Sequence, residues 1–189
     1  MAYRPVILLA AHGERGGASK NERLAQITEA VGKSIPEADV GSVLVNVEGA
    51  VERTLAACGE RPVLCLPLLF SDGYFYEQRL RPSFGGKSHR LAAPLALWRS
   101  FAPFLADNLA LRLISQSADP RVVIARSEPP YSCIGLFLGE GLHGGEDFDV
   151  LVSSAKTPPI AAFTAGELPG LPCLIADEAR ARLADQLRS

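Results

Sequence analysis

Three short apolar runs, each closed by a polar or glycine-bearing turn, constrain this chain more than any other feature. Val6-Ile7-Leu8-Leu9-Ala10 carries no polar residue. Such a run suits a strand covered on both faces, as in a parallel sheet. A glycine-rich turn follows at Gly13 to Gly17, and then Ser19-Lys20-Asn21-Glu22 matches a capping box, a hydroxyl residue with Glu three places on. Leu24, Ile27 and Val31 recur at helical spacing behind it. Val43 to Val47 predicts a second strand. Val51, Leu55 and Cys58 predict a second helix, which Gly59 ends. Val63 to Leu68 predicts the third strand. Strand, helix, strand, helix, strand makes two βαβ units, hence an α/β fold with a parallel sheet flanked by helices on both faces.

Beyond Leu68 the pattern loosens. Ser71 to Pro94 reads as a long loop, broken by Gly73, Pro82, Gly85, Gly86 and Pro94, with Tyr74, Phe75, Tyr76 and Phe84 set among basic residues. Pro103 suits the first position of a helix through Phe104, Leu105, Leu109 and Leu113. Arg121 to Ala125 reads as a fourth strand. Asp149 to Ser153, Ile160 to Thr164 and Cys173 to Ala176 read as short strands, and Ala179 to Leu187 as a closing helix. The expected division is an α/β domain over 1–118 and an extension over 119–189. That extension either completes the same sheet or is a degenerate second half, with Arg121 to Ser127 as counterpart of Val6 to His12.

Composition excludes several function classes. The chain has 189 residues, 48% hydrophobic and 21% charged, which suits a folded protein with an ordinary core. Its 19 basic and 21 acidic residues give a formal charge of -2. That balance argues against nucleic acid as a partner and against a polybasic membrane surface. No apolar run approaches the roughly 18 residues of a membrane span, and the first run is too short for a secretory leader. Cys58, Cys65, Cys133 and Cys173 form no CxxC pair, so zinc and thioredoxin-type sites lack support. Reduced thiols in a cytoplasmic protein are the expectation. Neither GxxxxGK[ST] nor GxGxxG occurs, and neither GxSxG nor HExxH, so nucleotide, serine-hydrolase and zincin chemistry have no anchor.

In a parallel α/β sheet, ligands bind beyond the carboxyl ends of the strands. His12 follows the first predicted strand, Glu48 the second, and Ser71-Asp72-Gly73 the third. An imidazole and carboxylates at one edge suit a divalent metal or a proton transfer. Each also has a plain reading. His12 can be a loop histidine, Glu48 can favour a helix dipole, and Asp72-Gly73 is an ordinary turn. His89 and His143 read as exposed loop residues.

The order of the pieces is more specific than any one of them. Leu8-Leu9-Ala10-Ala11-His12-Gly13-Glu14-Arg15 opens the chain, Val45-Asn46-Val47-Glu48 ends the second predicted strand, and Leu66-Pro67-Leu68-Leu69-Phe70-Ser71-Asp72-Gly73-Tyr74 ends the third. Over roughly residues 5–115 this resembles the small class II chelatases, the sirohydrochlorin cobalt- and ferrochelatases. The resemblance implies a flavodoxin-type three-layer sandwich. It also implies ATP-independent insertion of a divalent metal, Co2+ or Fe2+, into a tetrapyrrole, with the metal as substrate and no nucleotide. His12 matches the first family histidine and Glu48 an acidic residue after the second strand. The second family histidine falls on Phe75, which can neither bind metal nor accept a proton. His89 is then the candidate to complete a metal set with His12 and Glu48. Tyr74, Phe75, Arg79 and Arg81 would serve the macrocycle, rings by stacking and arginines by pairing with its carboxylates. Small family members pair as homodimers, which makes a homodimer the implied assembly. Two alternatives remain: a non-catalytic tetrapyrrole- or metal-binding relative, which takes Phe75 at face value, and a histidine phosphatase. The latter wants Arg immediately before His-Gly, where this chain has Ala11.

Overall fold

The computed structural model describes residues 3–13, 21–85, 89–109, 115–116, 122–124, 132–139, 146–155 and 161–188. The chain divides into two compact units. One holds 1–13, 24–98 and 172–189, and the other 14–23 and 99–171.

The first unit is built on β1 (Val6–Ala11), β2 (Asp39–Leu44), β3 (Val63–Pro67) and β4 (His89–Leu91), in the order β2-β1-β3-β4. All pairings are parallel. Every residue of β1 and β3 is buried, as unbroken apolar runs require when both faces are covered. Side chains alternate between faces along a strand. Val6, Leu8 and Ala10 therefore share one face, where they pack with Val63, Cys65, Val51, Leu55 and Leu80. Val51 and Leu55 come from α2 (Ala50–Cys58), which Gly59 terminates at φ 61, a conformation that costs glycine little. Ile7 and Leu9 fill the opposite face and are fully buried. There α1 (Glu22–Ser34) buries Leu24, Ile27 and Val31. Arg180 of α5 (Leu171–Arg188) bonds the Ser34 carbonyl at the end of α1 and pairs with Glu37. The parallel sheet is thus flanked by helices, as the sequence pattern predicts.

The second unit contains α3 (Phe101–Leu109) and a sheet of its own: β5 (Ser115–Gln116), β6 (Val122–Ile124), β7 (Ser132–Gly135) and β8 (Ala161–Thr164). β5–β6 and β6–β7 are antiparallel and β7–β8 is parallel, with α4 (Glu146–Ser153) as the crossover. Phe148 of α4 is buried and meets Phe137 edge-on at 6.4 Å. After β8 the Thr164 and Glu167 side chains close a capping box. A side chain at Gly166 would collide with the Leu138 carbonyl.

Several expected elements differ. β2 runs Asp39–Leu44, not Val43 to Val47, because Val45 to Gly49 turns toward α2. The expected loop from Ser71 to Pro94 contains a π-helix (Phe75–Leu80), a 3-10 turn (Arg81–Phe84) and β4. Asp149 to Ser153 is helical, and Cys173 to Ala176 lies inside α5. Short apolar runs do not separate a buried strand from a buried helix segment, which accounts for both. Pro103 is the third residue of α3, where a missing N–H is equally harmless. β6 is flanked by antiparallel neighbours, unlike β1. The strands after α3 form a separate sheet and do not extend the first. The division falls after Trp98, and α5 returns to the first unit. The Gly13 to Gly17 turn beyond Gly13, the Ser19 cap and His143 lie outside the described residues. Among the described residues no helix is long and apolar enough to cross a membrane.

Candidate functional site

The strand order places a topological switch point at β1 and β3. The connection from β1 leads by α1 to β2 on one side, while β3 lies on the other. The crevice beyond the carboxyl ends of such strands is where α/β proteins bind ligands. His12 stands there, one residue past β1, and is exposed, while Gly13 is buried.

Asn46 fixes this strand end. Its side-chain oxygen accepts the Gly13 N–H at 2.9 Å, and its Nδ2 donates to the Gly13 carbonyl at 2.7 Å. A Cβ at position 13 would stand 2.7 Å from Asn46 Oδ1 and 2.9 Å from Leu44 Cδ1. Glycine is therefore required for the clamp to close. Asn46 lies outside the candidate residues that the sequence pattern singles out. Its signal was an amide just past one strand, level with a glycine just past the neighbouring one.

The other wall comes from the segment after β3. Leu68 donates to the Ala10 carbonyl at 2.7 Å, which holds this segment beside β1. The π-helix Phe75–Leu80 follows, anchored by fully buried Leu80. The Phe75 ring meets the His12 imidazole edge-to-face, centroids 4.5 Å apart and planes at 78°. Tyr74 continues the series, its ring 5.4 Å from that of Phe75. Phe75 is thus in direct contact with His12.

Residues five apart face one another on a π-helix, where i→i+5 bonds close the turns, as from the Arg81 N–H to the Tyr76 carbonyl. Arg79 stacks over Tyr74 at 5.8 Å and Arg81 over Tyr76 at 5.9 Å. Arg81 also pairs with both oxygens of Glu77, at 2.8 and 2.7 Å, and that carboxylate holds its guanidinium charged. The Tyr76 hydroxyl donates to the Ala92 carbonyl at 3.2 Å, and burial pushes this phenol above its ordinary range. Tyr-x-x-x-x-Arg occurs twice, overlapping, in Tyr74 to Arg81. A five-residue spacing of that kind matches the register of the π-helix, which the sequence reading takes as loop.

The remaining candidates lie elsewhere. Glu48 sits exposed in the turn before α2, four residues past the end of β2. Its carbonyl accepts from Arg53 at 3.0 Å. His89 opens β4 and pairs with Val63, which is level with Val6. It therefore lies at the amino end of the sheet, while His12 lies at the carboxyl end. Six residues of strand, roughly 20 Å, separate the two levels. His89 stacks edge-on with Phe84 at 6.4 Å instead. The structure does not gather His12, Glu48 and His89 into one set. Among the described residues no group of three His, Cys, Asp or Glu is placed to hold a metal.

A solved structure settles the fold. CbiX, described as the terminal enzyme for biosynthesis of siroheme in denitrifying bacteria, superposes with a TM-score of 0.68 over 94% of this chain and 99% of its own, at 17% identity. This chain has the CbiX fold. A CbiX protein from Marinobacter aquaeolei VT8 matches with a TM-score of 0.39 at 23% identity, over 55% of this chain and 90% of that one. No protein-family model and no curated protein matches the chain. Against this fold, the expectation of an α/β architecture with a helix-flanked parallel sheet stands.

Proposed function

We propose that the chain binds a tetrapyrrole at the carboxyl edge of β1 and β3 and inserts a divalent metal into it without ATP. Co2+ and Fe2+ are the candidate metals, and sirohydrochlorin is the candidate macrocycle. The observation that supports this reading most is exposed His12, next to the Gly13 backbone that Asn46 clamps, with its ring set beside the aromatic series Phe75–Tyr74. A flat conjugated ring stacks on such a surface with its inner nitrogens facing His12.

Insertion replaces two pyrrole N–H protons with one M2+, so two protons must leave for each metal that enters. Neutral His12 accepts one proton and passes it to water, and imidazole is also a good first ligand for a borderline divalent metal. Glu48, in the neighbouring turn, is the proposed acceptor for the second. His89 has no part in this scheme. The phenylalanine in contact with His12 favours a second reading, in which the chain binds or hands on a tetrapyrrole without metalating it.

The test is the rate of Co2+ and Fe2+ insertion into sirohydrochlorin, followed by absorbance against the uncatalysed control. The proposal expects acceleration by the native protein, lost in His12→Ala. Binding of the macrocycle with no acceleration supports the second reading. No binding overturns both.

A further inference from the structure

Arg79 in the π-helix and Arg81 just after it are not equivalent. Arg81 is engaged by a bidentate carboxylate from Glu77 one helical step away. Among the described residues Arg79 makes no bidentate ion pair, although its charge helps to hold the Glu52 carboxyl low. Its guanidinium lies over Tyr74, which is 60% exposed, and its Nε is buried without a hydrogen-bond acceptor. A buried donor left unpaired is costly, so its presence calls for an explanation. Tyr74 is two contacts from His12, through Phe75. The pair therefore stands at the rim of the site already described.

We propose that Arg79, backed by the Tyr74 ring, is the specificity residue that takes a carboxylate side arm of the macrocycle, and that Arg81 is not. This rests on the tetrapyrrole reading. A carboxylate accepts two parallel N–H bonds from a guanidinium, and an aromatic ring beneath keeps the fork planar and partly dehydrated. Rotation of the Arg79 side chain toward an incoming carboxylate carries Nε out of its unpaired position. The π-helix is the device that allows this. In an α-helix, with 3.6 residues per turn, residues 74 and 79 would lie on different faces. Glu77 keeps the neighbouring guanidinium from competing. The bound group is thus a carboxylate on a flat ring system.

The experiment compares binding of sirohydrochlorin and of its fully esterified form, in one solvent, to the native protein, Arg79→Gln, Arg79→Lys and Arg81→Gln. Thermal melting confirms that each variant folds. The proposal expects Arg79→Gln to weaken the acid roughly ten- to a hundredfold and the ester less than twofold. Arg79→Lys, which keeps the charge and loses the fork, falls between native and Arg79→Gln. Arg81→Gln weakens the acid less than threefold. If the native protein binds the acid and Arg79→Gln binds it equally well, the proposal is overturned while the tetrapyrrole reading stands. Equal losses for acid and ester in Arg79→Gln also overturn it, because they signal lost packing. If the native protein binds neither form, the tetrapyrrole reading fails and this proposal with it.

Discussion

Replacing Asn46 by Ala removes both hydrogen bonds that hold Gly13. Each such bond is worth about 0.5–1.5 kcal/mol net, so the loss is about 1–3 kcal/mol. The Gly13 N–H, on a buried residue, is then left unpaired, which favours the upper half of that range. Trp98, the chain's single tryptophan, is buried in the first unit and donates to the Ala93 carbonyl at 2.7 Å. Its fluorescence in a urea titration therefore reports unfolding of the unit that holds the site. A double-mutant cycle sharpens the test. Gly13→Ala introduces a Cβ that meets Asn46 Oδ1 at 2.7 Å and Leu44 Cδ1 at 2.9 Å. In the Asn46→Ala background the first of these obstacles is gone. The two changes should then cost less together than separately, by about 1 kcal/mol or more. Additivity within about 0.3 kcal/mol, or an Asn46→Ala variant as stable as the native protein, would refute the clamp.

Other outcomes follow from the same geometry. Phe75→His puts a second imidazole where the phenyl ring now meets His12, 4.5 Å away. Calorimetry should find Co2+ binding at least tenfold tighter than in the native protein, fading below about pH 6 as imidazoles protonate. Leu80→Ala empties a fully buried position beneath the π-helix and should cost about 2–5 kcal/mol in the same urea titration. Burial pushes the Cys65 thiol far up, so the fold holds it protonated while the unfolded chain ionises near about pH 8.5. Stability is thus full below that pH and falls as pH rises past it, and Cys65→Ala should flatten the decline. In native labelling read by mass spectrometry, exposed Cys173 should react and buried Cys65 should stay unmodified until unfolding.

β1 and β3 of the first unit were legible because they are buried on both faces. Burial of that kind leaves no polar residue in Val6 to Ala11 or Val63 to Pro67, and the helices between them carry clean apolar stripes. β2 was displaced because its edge position leaves Asp39 and Ser42 exposed, so its apolar pattern is weak at Asp39 to Ser42. The second unit was obscure for a related reason. Its strands are two to four residues long, and its one crossover helix spans eight residues. Short amphipathic pieces carry too few turns to fix a period. At the site, sequence order put His12 just after the first strand, and the contact of Phe75 with it emerges only in the structure. Register then separated His89, because loop spacing does not say which end of a sheet a residue joins. The Asn46 clamp depends on groups meeting across elements, which local pattern does not record.

The account rests on a macrocycle lying over His12. The chain has three histidines, so the imidazole Cε1–H signals in a proton NMR spectrum are few, and the one lost in His12→Gln identifies His12. Sirohydrochlorin should be titrated into the native protein while those signals are followed. The ring current of a conjugated macrocycle stacked at this edge should shift the His12 signal in step with saturation, and leave His89, at the far end of the sheet, in place. A His12 signal that stays fixed while absorbance shows the macrocycle bound would contradict the account.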